Sequence, residues 1–371
     1  MIKDHFRSKQ LLMAAYAVEC VAPMLRLAAR VWTGKRSAPE SWKKGLLIGA
    51  NHIGDILYRT ASLTQLAKGL PGCTWDILAT EPSAQVLERN PAIRKIHRME
   101  IPSCGSADFQ MLKRENYDVA ICYDSGAYTR PLLTTTLLGI PNRVGYVHKG
   151  LSGLVTHPIS INYPQPFPAY FRDVVAQLTD QEPNWSLRPK VILTEEDLQE
   201  AAFLWSALKL PHERPVLACF VTTRQPSGSW PMEKFQETLE LVHMSSPVSI
   251  LLCGAPGDEA RLRELQQSLS FPTEINAGRI GLRSLVALLA KCRVVLSSDS
   301  GPRHLANAAG TPVVFARNPW FSRKEAGVYC PDSECDMAPS LEFVSPESQG
   351  DYWQHVSAEA VASEIVALLH P

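Results

Sequence analysis

The stretch RVVLSSDSGPRHLANAAGTPVVFARN, residues 293–318, constrains this chain more than any other. The apolar run Val294 to Leu296 is what a strand buried on both faces uses. Ser298, Asp299, Ser300 and Gly301 follow, small residues suited to a sharp turn and to the start of a helix. Leu305, Ala306 and Ala309 then share one face of a short helix that Gly310 stops, and Thr311 to Ala316 reads as a second strand. Strand, small-residue turn and helix in this order make an anion site. The N–H groups of the turn and the positive helix end converge on one point, and a diphosphate is the guest that fits it. Helix capping by Asp299 or Ser300, with His304 an ordinary first-turn residue, is the plainer account of the same residues.

The same alternation runs through most of the chain. A strand from Leu46 to Ala50 meets the turn Asn51-His52-Ile53-Gly54-Asp55, and Ile56, Thr60, Leu63, Ala67 and Leu70 form a helical stripe. Strands follow at Trp75–Ala79, Ile93–Met99, Asp118–Tyr123 and Arg143–Val147, with helices at Pro82–Arg89, Asp108–Arg114 and Arg130–Leu138 between them. Prolines crowd Thr156 to Pro189 around one helix, Tyr170–Thr179, as in a hinge between domains. A helix capped by Thr194 runs to Leu208 and opens a second series. Strands lie at Val216–Val221 and Val248–Cys253, and helices at Met232–His243, Asp258–Ser268 and Leu282–Ala290. Gly327 to Asp351 reads as an irregular excursion, and Val356 to Leu369 as a last amphipathic helix. The expected division is an extension over 1–44, α/β domains over 45–180 and 195–340, and a C-terminal helix over 353–371. Two domains also suit 371 residues better than one core.

Lys plus Arg equals Asp plus Glu, 37 against 37, which argues against a general nucleic-acid binder. Nine cysteines without a CxxC pair suit reduced thiols rather than a disulfide framework, and no His near Cys330 and Cys335 completes a zinc pattern. In the extension, Lys3, Arg7 and Lys9 precede an apolar segment from Leu11 to Trp32. It lacks the cleavage site of a signal peptide, and Glu19, Arg26 and Pro23 suit a spanning helix poorly. A helix lying on a surface fits better, with Leu12, Tyr16, Met24, Leu27 and Val31 facing one way. Its arginines, with Lys35, Arg36, Lys43 and Lys44, would sit near anionic headgroups. Packing on its own domain or on a second subunit is the equal alternative.

S-D-S-G-P-R-H-L-A followed by G-T-P-V-V resembles the C-terminal signature of the bacterial heptosyltransferases, glycosyltransferase family 9; Ser298, Asp299, Ser300, Gly301, His304, Leu305, Gly310, Thr311 and Pro312 match. The resemblance extends from Gly45 to Asn318. Family members open with an apolar strand and S-S-x-G-D; here Gly54 and Asp55 match, while Asn51 and His52 stand in place of the serines. Thr222-Thr223-Arg224 and Trp230-Pro231 match a threonine-rich strand end and a following W-P. A family lysine that faces the donor phosphate has no counterpart between Gln225 and Ser229, which leaves Arg224 as the local cation. Gly254 to Glu259 and Gly278 to Leu282 resemble the loops that enclose the nucleoside.

The resemblance implies an α/β protein of the GT-B type, two Rossmann-like domains facing a cleft, behind an N-terminal amphipathic helical extension. Ligands of such sheets sit beyond the carboxyl ends of the strands. It implies an inverting, metal-independent glycosyltransferase without cofactor, moving heptose from ADP-heptose onto a lipopolysaccharide core or related surface glycan. Asp55 is then the general base that takes the proton of the attacking hydroxyl, although an acid in a first helical turn is also stabilising by itself. Thr222, Thr223, Arg224, Gly254, Glu259, Asp299, Ser300, Gly301 and His304 are expected at the nucleotide-sugar donor, Asn51 and His52 at the glycolipid or oligosaccharide acceptor. The expected workplace is the cytoplasm, peripheral on the inner membrane. Another nucleotide sugar, or a non-catalytic nucleotide-sugar-binding scaffold, remains as the alternative.

Overall fold

A computed structural model describes residues 9–49, 52–124, 129–148, 150–211, 213–224, 228–318, 321–338 and 349–370. The chain divides into two compact units, Met1–Ser186 and Leu187–Pro371. The first carries helices α1 (Lys9–Cys20), α2 (Ala22–Thr33), α3 (Ile53–Gly69), α4 (Ala107–Arg114), α5 (Thr129–Leu137) and α6 (Phe167–Thr179). Its strands are β1 (Lys44–Ile48), β2 (Thr74–Ala79), β3 (Lys95–Arg98), β4 (Val119–Cys122), β5 (Asn142–Tyr146) and β6 (His157–Ile159). They form one parallel sheet in the order β3-β2-β1-β4-β5-β6.

The second unit repeats the plan. Its helices are α7 (Glu195–Ala207), α8 (Met232–Ser245), α9 (Glu259–Ser268), α10 (Leu282–Leu289), α11 (Gly301–Ala309), α12 (Arg323–Ala326), α13 (Gln349–Gln354) and α14 (Ala358–Leu369). Its strands are β7 (Val216–Phe220), β8 (Ser249–Gly254), β9 (Glu274–Ala277), β10 (Val294–Ser298), β11 (Val313–Ala316) and β12 (Glu334–Asp336). They pair in parallel as β12-β11-β10-β7-β8-β9. Read from its own first strand, each sheet has the doubly wound order 3-2-1-4-5-6, whose direction reverses between the first and fourth strands. Those strands, β1 and β4, β7 and β10, are buried apolar runs, as strands covered on both faces must be.

Several expectations need correction. Pro82–Arg89 is not an α-helix but a short 3₁₀ segment, Ser83–Leu87, too brief before Asn90-Pro91 for a full turn to propagate. The proline-rich stretch contains the boundary between the units, at Ser186 and Leu187, but is more than a hinge. It supplies β6 and α6 to the first unit, and α6 packs on α3. Pro158 is tolerated there because β6 is an edge strand. The excursion after Gly327 contains β12, another edge strand, and β9 lies in a stretch that carried no strand expectation. Short edge strands such as Glu-Cys-Asp have no apolar run to betray them.

The N-terminal segment is two helices bent by 63°, with Pro23 in the first turn of the second. Its inner side is fixed to the first unit. Ser152 gives its N–H and hydroxyl to the Glu19 carboxylate, and a Cβ on Gly153 would lie 2.2 Å from the Ala22 carbonyl oxygen. The buried Arg143 donates to Thr33 Oγ1 at 3.1 Å and to the carbonyls of Leu154 and Ile140.

Candidate functional site

The reversal between β1 and β4 is where a doubly wound sheet opens a crevice at its carboxyl edge. Two continuations border it, the turn into α3 and the residues after Cys122. Gly49 is needed at this point, since a Cβ there would lie 2.3 Å from the Tyr123 ring. Asn51 lies outside the described residues. His52 is exposed and starts α3 without a side-chain cap. Asp55 sits in the first turn, partly buried. Its Oδ1 accepts from Tyr58 Oη at 2.8 Å, and Oδ2 has no hydrogen-bond partner among the described residues. Burial pushes the Tyr58 hydroxyl well above its usual 10, with Arg59 pulling the other way, so Tyr58 serves only as a donor to the carboxylate.

Sequence reasoning missed the residues around Asp55. Arg59 is buried one turn further on and donates to the Asp55 carbonyl. Its guanidinium lies 4.2 Å from the centroid of Tyr123 and 4.9 Å from that of Tyr58, and its Nε has no hydrogen-bond partner among the described residues. The charge of Asp124, next after Tyr123, acts on Tyr58, Arg59 and Tyr123. The available signal was an arginine on the stripe that the helix turns inward.

In the second unit β7 lies between β10 and β8, so three strand ends share one edge. Thr222 Oγ1 donates to Asp258 Oδ2 at 2.9 Å, and the same oxygen accepts from the Ala255 N–H at 2.8 Å. Gly254 lets this carboxylate approach: a Cβ there would lie 2.9 Å from Asp258 Cβ. Asp258 thus ties the β8 turn to the β7 end. Glu259 is paired with Arg263 at 2.6 Å on the exposed face of α9. Thr223 is partly buried and Arg224 exposed.

The turn after β10 separates the two accounts of the signature. Ser300 occupies the N-cap position of α11 but makes no side-chain cap bond; its hydroxyl donates to the Ser298 carbonyl at 3.3 Å. Asp299 does not cap the helix either. Its carboxylate accepts from Arg303 Nη1 at 2.9 Å and from the Asn318 N–H at 3.5 Å. Ser298 Oγ accepts from the Trp230 N–H at 3.0 Å and so fixes the W-P turn to this edge. Gly301 therefore opens a helix whose N-terminus no side chain of its own turn covers.

Beneath that turn lies an ionic network that sequence reasoning also missed. Arg303, nearly fully buried, donates to Glu334 Oε1 at 2.6 Å and to the carbonyls of Ala326 and Gly327, and lies 3.7 Å from the Phe315 ring centroid. Glu334 Oε2 accepts the N–H groups of Tyr329 and Cys330. Asn307 joins Tyr329 Oη at 3.0 Å and Glu334 at 2.7 Å. His304 Nδ1 lies 2.6 Å from Tyr329 Oη, and burial, with the Arg303 charge, takes its pKa down to about 3. The imidazole is neutral at ordinary pH.

Among the described residues, Asp76, His97 and Glu115 come close enough to share a metal ion. The carboxylates are already engaged, and His97 Nε2 lies 3.2 Å from Asp76 Oδ2 and 2.8 Å from Tyr117 Oη. Arg94 binds Asp76 through two nitrogens, Tyr117 Oη donates to it at 2.7 Å, and Lys44, Arg94 and Lys95 surround Glu115. The protein's own cations fill the place an ion would take.

The model of glycosyltransferase family 9 (heptosyltransferase) matches residues 107–315, more than half of the 371. A lipooligosaccharide heptosyltransferase 2 of Haemophilus influenzae is 27% identical over 301 residues, which cover 74% of this chain and 83% of that protein. A solved family 9 glycosyltransferase of Veillonella parvula has a TM-score of 0.76 at 18% identity, covering 90% of this chain and 99% of its own. The ADP-heptose lipopolysaccharide heptosyltransferase II of Escherichia coli has a TM-score of 0.69 at 20% identity, covering 88% and 98%. The matched segment runs from one unit into the other and takes in the β10 turn, and the chain belongs to glycosyltransferase family 9, a glycosyltransferase enzyme with two Rossmann-like units.

Proposed function

We propose that this enzyme transfers heptose from ADP-heptose, with inversion, onto a saccharide of a lipopolysaccharide core or related surface glycan. The observation that carries the reading is the uncapped N-terminus of α11 at the carboxyl end of β10. The Ser300 and Gly301 N–H groups and the positive dipole end suit a diphosphate; Pro302 carries no N–H, and Arg303 donates its own to the Ser300 carbonyl at 3.1 Å. Asp299 is held by Arg303, so its charge is offset where an unpaired carboxylate would repel that anion. The names of the relatives supply the sugar and the acceptor class.

In this reading Asp55 takes the proton from the acceptor hydroxyl as that oxygen attacks the anomeric carbon. The bond from that carbon to the diphosphate breaks on the opposite side. Charge gathering on the leaving oxygen is met by the Ser300–Gly301 backbone, Thr223 and Arg224, while Thr222 and His304 hold their surroundings in shape. Gly254 and Glu259 border the nucleoside, and Asn51 and His52 the acceptor. Peptide N–H groups and Arg224 provide the counter-charge, so turnover persists in EDTA. The acceptor is lipid-linked and is met at the cytoplasmic membrane surface.

The test is turnover of ADP-heptose with NMR of the new glycosidic linkage. Inversion and a dead Asp55→Ala variant that still binds ADP support the reading. Retention of configuration, or full activity in Asp55→Ala, removes it. The absence of a lysine between Gln225 and Ser229 favours one second reading, a different nucleotide sugar. A melting temperature raised by UDP or GDP but not by ADP would favour that donor instead.

A further inference from the structure

Helix α2 is apolar on two opposite sides. Ala22, Ala29 and Thr33, with half-buried Leu25, turn inward, and Ala29 and Leu25 join the core beneath α5 and residues 152–155. Met24, Leu27 and Val31 turn outward at an i, i+3, i+7 spacing, 73%, 68% and 82% exposed. The outer stripe does not end with the helix. Trp32 is 61% exposed and donates Nε1 to the Leu137 carbonyl at 3.3 Å, which joins it to α5. There Arg130, Leu133 and Leu137 repeat the same spacing, all exposed. On α1, Met13 and Tyr16 are exposed as well. Large apolar side chains exposed on neighbouring helices in this number mark a docking site.

Charge selects the occupant. Glu19 is the one acidic residue from Lys9 to Arg36, and its carboxylate is bound to Ser152. Arg26, Arg30, Lys35 and Arg36 are all exposed. Arg26 and Arg30 fall between the two apolar sides of the helix, and Lys113 lies 5.6 Å from the Trp32 ring centroid. A second copy docking face to face would bring the same positive rim against itself. An anionic lipid surface answers both features, with phosphates for the cations and acyl chains for Met24, Leu27 and Val31. Trp32 and Tyr16 are the residue types found at such a boundary. No single helix among the described residues is long and apolar enough to cross a bilayer, and the 63° bend, with Arg26 and Arg30 beyond it, suits a pair that lies along the surface.

We propose that this face of α1, α2 and α5 docks the enzyme onto an anionic phospholipid surface. The proposal deepens the membrane part of the functional reading but needs neither its donor nor its acceptor, so the two fail separately. The full-length protein is sedimented with phosphatidylethanolamine vesicles containing phosphatidylglycerol, and with phosphatidylcholine vesicles. Binding to the anionic vesicles only, released by salt, is expected. Leu27→Ser/Val31→Ser should lower the partition coefficient at least about tenfold. Arg26→Gln/Arg30→Gln should lower it about tenfold as well. Both variants should keep the wild-type melting temperature, because the altered side chains are exposed. Equal binding by variants and wild type, equal binding to phosphatidylcholine, or no binding would overturn the proposal. So would a concentration-dependent dimer, without vesicle binding, that Leu27→Ser/Val31→Ser disperses.

Discussion

Asp55 and Asp299 are both carboxylates at a reversal of strand order, and their surroundings give them different work. Asp55 keeps one oxygen free of described partners, whereas Asp299 is spent on Arg303 and the Asn318 N–H. Asp55→Asn should therefore cut kcat by about 10²- to 10⁴-fold, the usual share of a general base, with the urea midpoint almost unchanged. Asp299→Ala should behave in reverse at first measurement. It strips a partner from a buried guanidinium and costs about 3 kcal/mol in urea unfolding, with activity lost through misplacement of α11. A variant of Asp299 with full stability would show that Arg303 does not depend on it. His304 carries a pH signature. Its folded pKa, about 3, lies below the free value of 6.5, so the stabilisation from keeping it neutral is complete above pH 6.5. It is lost as pH falls, by up to about 1.4 kcal/mol per pH unit. His157, also lowered by burial, acts in the same direction. The melting temperature should thus drop on acidification below 6.5, and less steeply in His304→Gln; parallel curves would remove His304 from the account.

At the level of elements, what was legible depended on how local the cause is. The start of α7 follows from four adjacent residues, because Thr194 and Asp197 form a reciprocal capping box. The central strands follow from apolar runs that only a doubly covered strand needs. The turn after β10 was legible as a strand-to-helix turn, but not what holds Asp299 away from the helix N-terminus, which lies 19 and more residues away in Asn318 and Glu334. Likewise the setting of Arg59 depends on Tyr123, which follows β4, as much as on its neighbour Tyr58. β12 shows the same limit: its register against β11 places Glu334 under α11, and no window of sequence contains both. Glu334→Ala should destabilise the second unit by about 3–5 kcal/mol, because it leaves Arg303 and two backbone N–H groups buried without their acceptor. Calorimetry would register the loss, and a shift much below this range would mean that water replaces the carboxylate.

Across the whole molecule, each unit has its own sheet and its own helices, and the proposed chemistry divides in the same way. The donor groups belong to the second unit, the base and the extension to the first. A chain with two cores need not unfold in a single step. Deleting residues 1–36 should uncover the α5 and 152–155 surface, and remove the Thr33 hydroxyl from Arg143 and the Glu19 carboxylate from Ser152. The first sheet would remain complete, so the cost should be about 2–4 kcal/mol and confined to the first unit. ADP at a hundred times its dissociation constant should add about 2.7 kcal/mol, confined to the second. In scanning calorimetry the deletion would lower one transition and ADP would raise the other. If both changes move one common transition, the two units unfold as one body and neither effect belongs to its unit alone. If ADP raises the transition that the deletion lowers, the nucleotide lies on the first unit, and the assignment of the β10 turn to the donor is wrong.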